Sequence, residues 1–305
     1  MSALNQPQFR TAANARQYLE ATRWPDGPIC PHCGVVGGHY ALEGKAHRAG
    51  LWKCADCREQ FTVTVGTVFE RSKIALNVWL QAVYLLCCSK KGMSSHQMHR
   101  ILGVTYKTAW FMTHRIREAM KTNPGGLLGG GGKIVEADET FWGKKENAPK
   151  AKGGFVHKNA IFSLVERQGA VRSFHIPRVN SATLKPILAA QVARDTRLMT
   201  DDAAYHQKHK WEFLSHQVIN HNQGEYARGD VTTNTVEGYF SILKRGLVGT
   251  YHHVGEDHLH RYVAEFDFRY NHRTALGVSD NERTAMVLKE IAGKRLTYRR
   301  THAVA

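Results

Sequence analysis

The chain has 305 residues, with 42 Lys+Arg against 26 Asp+Glu and a formal net charge of +16. Hydrophobic residues make up 42%. That is enough to bury real cores and excludes wholesale disorder; the absence of any run of about 18 apolar residues excludes a helical membrane span.

The length predicts two or three domains. The opening MSALNQPQFRTAANARQ has no apolar stretch, so no secretory signal is expected and a reducing cytoplasm is. The excess positive charge predicts a polyanionic partner, by default nucleic acid, and hence a nucleoid-associated protein.

Residues 1–66 are predicted to hold an N-terminal helix and a zinc ribbon. Cys30-Pro-His-Cys33 and Cys54-Ala-Asp-Cys57 are separated by 20 residues. Each CxxC knuckle aims two thiolates at one point, and two knuckles complete a tetrahedral Zn²⁺ shell. A four-Cys shell leaves no open position, so this metal is structural and supplies folding energy to a small segment. His32, His39 and His47 are spare. Short strands are expected at 39–42, 51–53 and 60–63.

Residues 67–122 read as a helix-turn-helix segment. A largely buried helix spans 72–89, with Cys87 and Cys88 as core residues. Ser94 can cap a helix through 102, Gly103 turns the chain, and Thr105 can cap a second helix over 106–120. Ala109, Met112, Ile116 and Met120 recur on one face of that helix, which leaves Lys107, Phe111, His114 and Arg115 elsewhere on its surface. Lys107, His114 and Arg115 are therefore the expected DNA contacts of a helix lying in the major groove. The charge agrees: residues 58–133 carry 11 basic against 3 acidic side chains. Residues 123–132, NPGGLLGGGG, are expected to form a flexible linker. They lack the Lys-Ser/Thr of a phosphate-binding loop.

Residues 133–275 alternate strand-like and helix-like pieces. Strands are expected at 134–143, 160–167 and 170–179, then a helix at 181–192, a strand at 196–200, a helix at 208–215, a strand at 217–220, and helices at 236–247 and 255–270. Three strands, helix, strand, helix, strand and helices is the order of an RNase H-like α/β domain with a mixed sheet. Asp138 lies within its first strand, Asp201 ends the strand after the first helix, and Glu237 opens a late helix. Carboxylates are hard ligands for Mg²⁺ or Mn²⁺, and two such ions can drive an in-line displacement at phosphorus. Strand alternation predicts that only one of Asp138/Glu139 and one of Asp201/Asp202 points into the site. Glu237, Ser241 and Lys244 at i, i+4 and i+7 share a helix face, which sets an ammonium beside a bound phosphate. Residues 276–305 are expected to add a C-terminal helix and a basic tail, with Lys294–Arg300 either on phosphate or solvated. His252 and His253 are exposed or touch DNA.

VEADETFWGKK (135–145), LMTDD (198–202), NTVEGYFSILKRGLVGTYHHV (234–254) and HLHRYVAEFDFRYNHR (258–273) resemble the ISXO-two-like DDE transposases of bacterial insertion sequences. That family also has an N-terminal zinc ribbon, matched by Cys30, Cys33, Cys54 and Cys57. The resemblance implies a metal-dependent RNase H-like core that cuts and joins DNA. Its double-stranded partners are the element's terminal inverted repeats and the target. It also implies a homo-oligomer, at least a dimer, because two ends must be held together. Asp138 and Asp201 become the first two metal acids. The third position falls on Asn234 or Glu237, and Glu237 is taken because it is anionic and shares a face with Lys244. Lys244 and Arg245 are the expected phosphate contacts there. The competing reading is a zinc-ribbon, helix-turn-helix regulator with an inactive RNase H-like domain.

Overall fold

The computed structural model describes residues 3–121, 125–146, 155–203 and 213–297. It divides into two compact units, residues 1–121 with 274–305, and residues 122–273. Among the described residues no helix is long and apolar enough to cross a membrane.

The first unit begins with helix α1 (Ala12–Arg23), capped by the Thr11 side chain on Asn14 N–H. Strands β1 (His39–Ala41), β2 (Trp52–Cys54) and β3 (Gln60–Phe61) form an antiparallel sheet in that order. Helix α2 (Leu76–Cys88) buries Trp79, Leu80, Val83, Leu86 and Cys87. Helix α3 (Ser95–Leu102) starts at a Ser94 cap and ends at Gly103, whose φ of 66° is the left-handed turn that glycine tolerates. Helix α4 (Tyr106–Met120) starts at a Thr105 cap.

Helix α8 (Asp280–Lys289), which follows the second unit in sequence, packs on α1, α2 and α4. The segment after it is stitched down as well. Ile291 O accepts Val68 N–H at 3.1 Å, Gly66 O accepts Gly293 N–H at 2.8 Å, and Lys294 Nζ donates to Lys121 O at 2.6 Å. The C-terminal residues are therefore part of the first unit rather than an appendage. Residues 298–305, the rest of the expected basic tail, lie outside the described residues.

The second unit is built on a five-stranded mixed sheet. Its strands are β4 (Ile134–Trp142), β5 (Asn159–Glu166), β6 (Val171–Ile176), β7 (Arg197–Asp201) and β8 (Ser215–Ile219), in the order β6-β5-β4-β7-β8. β4, β5 and β6 are antiparallel neighbours, and β4, β7 and β8 are parallel. Helix α5 (Ser181–Gln191) covers one face, with Leu184 and Leu188 against Ala137, Phe162, Leu164 and Leu198. Helices α6 (Asn234–Gly246) and α7 (Glu256–Asn271) cover the other, with Val236, Leu243, Val263 and Phe266 against Ile161, Val165 and Val171. This is the RNase H-like arrangement. The helix expected over 208–215 falls mostly on residues outside the described ones, and Ser215 already belongs to β8.

The glycine run is not a free tether. Leu128 is buried and bridges to Val192. The Gly129, Gly130 and Gly131 N–H groups donate to Glu166 Oε2, Thr196 Oγ1 and Asp195 Oδ2 at 2.8, 2.9 and 2.6 Å. Gly129 has φ +77°, and a Cβ there would sit 2.2 Å from Thr196 Oγ1. Glycine is needed for close approach, and amides already facing side-chain oxygens cannot cradle a phosphate.

Candidate active site

The sheet register brings the acids together. Glu136 on β4 pairs with Met199 on parallel β7. Two residues further along each strand, Asp138 and Asp201 stand level and on the same face, the one covered by α6 and α7. One carboxylate oxygen from each of Asp138, Glu139 and Asp201 falls within a common 4.8 Å. The inclusion of Glu139 corrects the alternation argument. The β4–β7 register ends at Glu136, whereas β4 stays paired to β5 as far as Trp142. Glu139 lies beyond the β4–β7 ladder, and its carboxylate lies with those of Asp138 and Asp201. Its N–H also donates to Asp138 Oδ1 at 2.7 Å.

Burial, then the Glu139 and Asp201 charges, push the Asp138 carboxyl up to about 8; the Glu139 N–H pulls the other way and Glu237 adds a smaller push. Like charges at this separation cannot all ionise cheaply. A divalent cation would remove the conflict, and all-oxygen donors suit a hard ion.

Glu237 lies in the first turn of α6, within electrostatic reach of Asp138. Its Oε1 accepts the Thr233 hydroxyl at 2.8 Å and is 3.3 Å from His221 Nε2. Asn234 opens the helix, exposed, and its N–H donates to Thr232 Oγ1 at 3.1 Å. Lys244 and Arg245 are exposed in the last turn of the helix. Asp202 accepts Asn222 Nδ2 at 3.0 Å.

Two further residues matter to this geometry. Glu136 is fully buried; it accepts the Thr235 and Val236 N–H groups at 2.7 and 3.0 Å and pairs with Arg167 Nε at 2.6 Å. The sequence signal was an acid in the middle of an apolar strand, in phase with Asp138.

In the first unit the four cysteine sulfurs share one cluster within 4.8 Å. Cys30 Sγ to Cys57 Sγ and Cys33 Sγ to Cys54 Sγ are each 3.6 Å, close to the edge of a tetrahedron with ~2.3 Å metal–sulfur bonds. The donor set therefore fits a divalent metal. Burial opposes ionisation of Cys30, but N–H groups of Cys33 and His32 and the Cys33 and Cys57 thiols bring it down to about 7.

Of the three expected DNA contacts on α4, Lys107 is exposed while His114 and Arg115 are buried. His114 stacks on Trp110 with ring centroids 4.1 Å apart. Arg115 donates to Val68 O, Glu70 O and Leu296 O. The C-terminal half of α4 is enclosed by α2 and α8, so the surface of this helix pair is the first turn of α4 with α3. There Tyr106 and Lys107 are exposed beside Arg100 and His96, and His96 stacks on Tyr106 at 4.3 Å.

Residues 127–271 match the ISXO2-like transposase domain, and residues 10–60 match the transposase zinc-ribbon domain. A protein of Halobacterium salinarum described as an uncharacterized protein in transposable element ISH50 is 27% identical over 283 residues, covering 86% of this chain and 91% of that one. Among solved structures, the Mos1 strand transfer complex is similar at 13% identity and a TM-score of 0.23, over 66% of this chain and 78% of that one. A pre-cleavage Mos1 transpososome is similar at 11% identity and a TM-score of 0.21, over 68% of this chain and 78% of that one.

Proposed function

From the match of residues 127–271 to the ISXO2-like transposase domain and of residues 10–60 to the transposase zinc-ribbon domain, we propose that the chain is an insertion-sequence transposase that cuts and rejoins DNA at the ends of its element by metal-dependent phosphodiester chemistry. The observation that carries this reading is the meeting of Asp138, Glu139 and Asp201 at one end of the sheet, with Glu237 in electrostatic reach.

Asp138, Asp201 and Glu237 would hold Mg²⁺ or Mn²⁺, with Glu139 beside them. When bound, such ions supply Lewis acidity that activates a water or a 3′-hydroxyl and stabilises the leaving oxygen. Lys244, seven residues after Glu237 on the same face, gives a non-bridging phosphate oxygen a cationic partner. Arg245 beside it contacts the neighbouring phosphate. Thr233 and His221 hold the Glu237 carboxylate in its rotamer through Oε1.

The four cysteines would hold a structural Zn²⁺ that orders the ribbon. The first turn of α4, with Lys107, enters the groove of the terminal repeat. His114 and Arg115 serve the fold of the DNA-binding unit. Two ends must be brought together, so the acting species is at least a dimer on DNA in the cytoplasm.

The test uses labelled duplexes taken from both flanks of the gene, with Mg²⁺ and a plasmid target. Wild type is expected to expose a 3′-hydroxyl at the element boundary and join it to the plasmid. Asp138→Asn and Asp201→Asn should bind the same duplex and leave it uncut. Wild-type protein that binds but never nicks would overturn the reading in favour of a regulator with a dead catalytic domain.

A further inference from the structure

Helix α6 lacks a cap of its own. Its N-cap residue, Thr233, makes no side-chain bond to the helix amides and gives its hydroxyl to Glu237 instead. Asn234 N–H bonds Thr232 Oγ1 just ahead of the helix, but the next two amides are satisfied from a strand about a hundred residues earlier. Glu136 Oε2 accepts Thr235 N–H and Val236 N–H, and Glu136 Oε1 accepts the Thr235 hydroxyl at 2.9 Å. A carboxylate there also meets the positive end of the helix dipole.

The same carboxylate is paired with Arg167, and Arg167 does more than neutralise it. Its Nη1 donates to Asp230 O at 2.7 Å and its Nη2 to Thr232 O at 3.0 Å. Those carbonyls belong to the segment that leads into α6. One ion pair, buried on the Glu136 side and half-buried on the Arg167 side, thus grips both the lead-in to the helix and its first turn. A half-satisfied buried pair would be costly, but here both oxygens of Glu136 are used and all three Arg167 nitrogens have partners.

The spacing gives this pair a role beyond folding. Glu136 precedes Asp138 by two residues on the same face of β4, and Glu237 follows Val236, whose N–H Glu136 holds. The distance between the two acids is therefore set by one strand step, one hydrogen bond and one helix step. Carboxylates brought together repel, and a helix end held only by packing would move to relieve them. We propose that Glu136, with Arg167 as its counter-ion, is a positioning residue for the metal centre: it fixes the first turn of α6, and with it Glu237, relative to Asp138 before any cation binds. This rests on the reading of Asp138 and Glu237 as metal acids.

The test compares full-length wild type, Glu136→Gln and Arg167→Lys. Glu136→Gln keeps the shape but removes the charge and presents an amide N–H₂ to Arg167. Mn²⁺ binding is read by titration calorimetry, and nicking is read against Mg²⁺ concentration. Loss of an outer partner of this kind weakens metal binding by roughly 10–100-fold. Glu136→Gln should raise the Mn²⁺ Kd by about tenfold or more, with a parallel rise in the Mg²⁺ needed for half-maximal nicking and recovery of most nicking at saturating metal. Arg167→Lys, which keeps the charge and loses the fork, should show a smaller rise in the same direction and serves if Glu136→Gln does not fold. A lower Tm with unchanged Mn²⁺ Kd in either folded variant would mean a purely structural role and overturn the proposal. Wild type that binds no Mn²⁺ at Asp138 overturns the metal reading itself, whereas wild-type binding and nicking alongside normal variants sinks only the positioning role.

Discussion

Replacing Arg115 with alanine should destabilise the first unit and leave the phosphate contacts proposed for it alone. The guanidinium is enclosed, with Nη1 2.9 Å from Val68 O and 3.1 Å from Glu70 O, and Nε 3.1 Å from Leu296 O. Of the three carbonyls, Val68 O is in a fully buried bond and would be stranded, at a cost of ~1–3 kcal/mol. The other two bonds are part-buried, and their carbonyls can regain water, which lowers their share to about 0.5–1 kcal/mol each. Packing of the stem on Phe111 is lost as well, with the guanidinium 4.8 Å from that ring. The total is about 3 kcal/mol, equivalent to a drop of roughly 6–12 °C in Tm for a unit of this size. The assay pairs thermal melting with fluorescence titration of a labelled mixed-sequence duplex at several salt concentrations, below the variant's Tm. Arg115→Ala should melt early and keep the wild-type salt slope. Lys107→Ala should melt normally and lower the slope of log K against log salt by about 1. An Arg115→Ala variant with normal Tm and a slope reduced by about 1 would refute the reasoning and return Arg115 to the DNA surface.

Burial outweighs the donors Tyr239 and Ser173 and pushes Asp267 up to about 6. Its oxygens accept Tyr239 OH at 2.6 Å and Ser173 Oγ and N–H at 2.7 Å each. The folded chain holds a proton that the unfolded chain has lost above its ordinary value near 4, so this group's contribution to stability falls as pH rises from ~4 to ~6, by up to ~3 kcal/mol, and is flat beyond. The difference in urea stability between wild type and Asp267→Asn across that window should show this slope, and parallel pH profiles would contradict it. Removing metal from the ribbon with a strong chelator should abolish hydrogen-exchange protection in β1, β2 and β3 while the amides of β4 and β5 keep theirs; protected ribbon amides in metal-free protein would contradict the assignment of folding energy to the metal.

The elements legible in the sequence were those written in local chemistry. Thr105, the Gly103 turn and the absence of breakers mark α4 from Tyr106 to Met120. The paired CxxC knuckles bring the four sulfurs to one point. Asp138 and Asp201 meet because parallel strands in register carry side chains of equal phase to the same face.

What escaped was set by distant partners. Helical periodicity on α4 reports one apolar face, but the carbonyls that take the Arg115 guanidinium come from Val68 and Glu70 before the helix and from Leu296 near the far end of the chain. A charged residue with backbone carbonyls waiting for it has no local mark. Glu136 escaped for the same reason: its partners Thr235 and Val236 are 99 and 100 residues away. The glycine run read as a tether because glycine signals both freedom and tight fit, and it is Glu166, Thr196 and Asp195 across from it that decide between them.

The return of the last residues to the first unit has a consequence for timing during synthesis. A ribosome delivers the ribbon, α2, α3 and α4 early, but Arg283 Nη1 meets Cys87 O at 2.9 Å, and Val68 N–H meets Ile291 O, only once the final stretch has left the exit tunnel. The whole of the second unit is translated in the interval and can fold before the first has its closing helix. A chain released short of α8 would carry all the acids and an unclosed first unit, so completion of that unit is the last folding step open to this polypeptide.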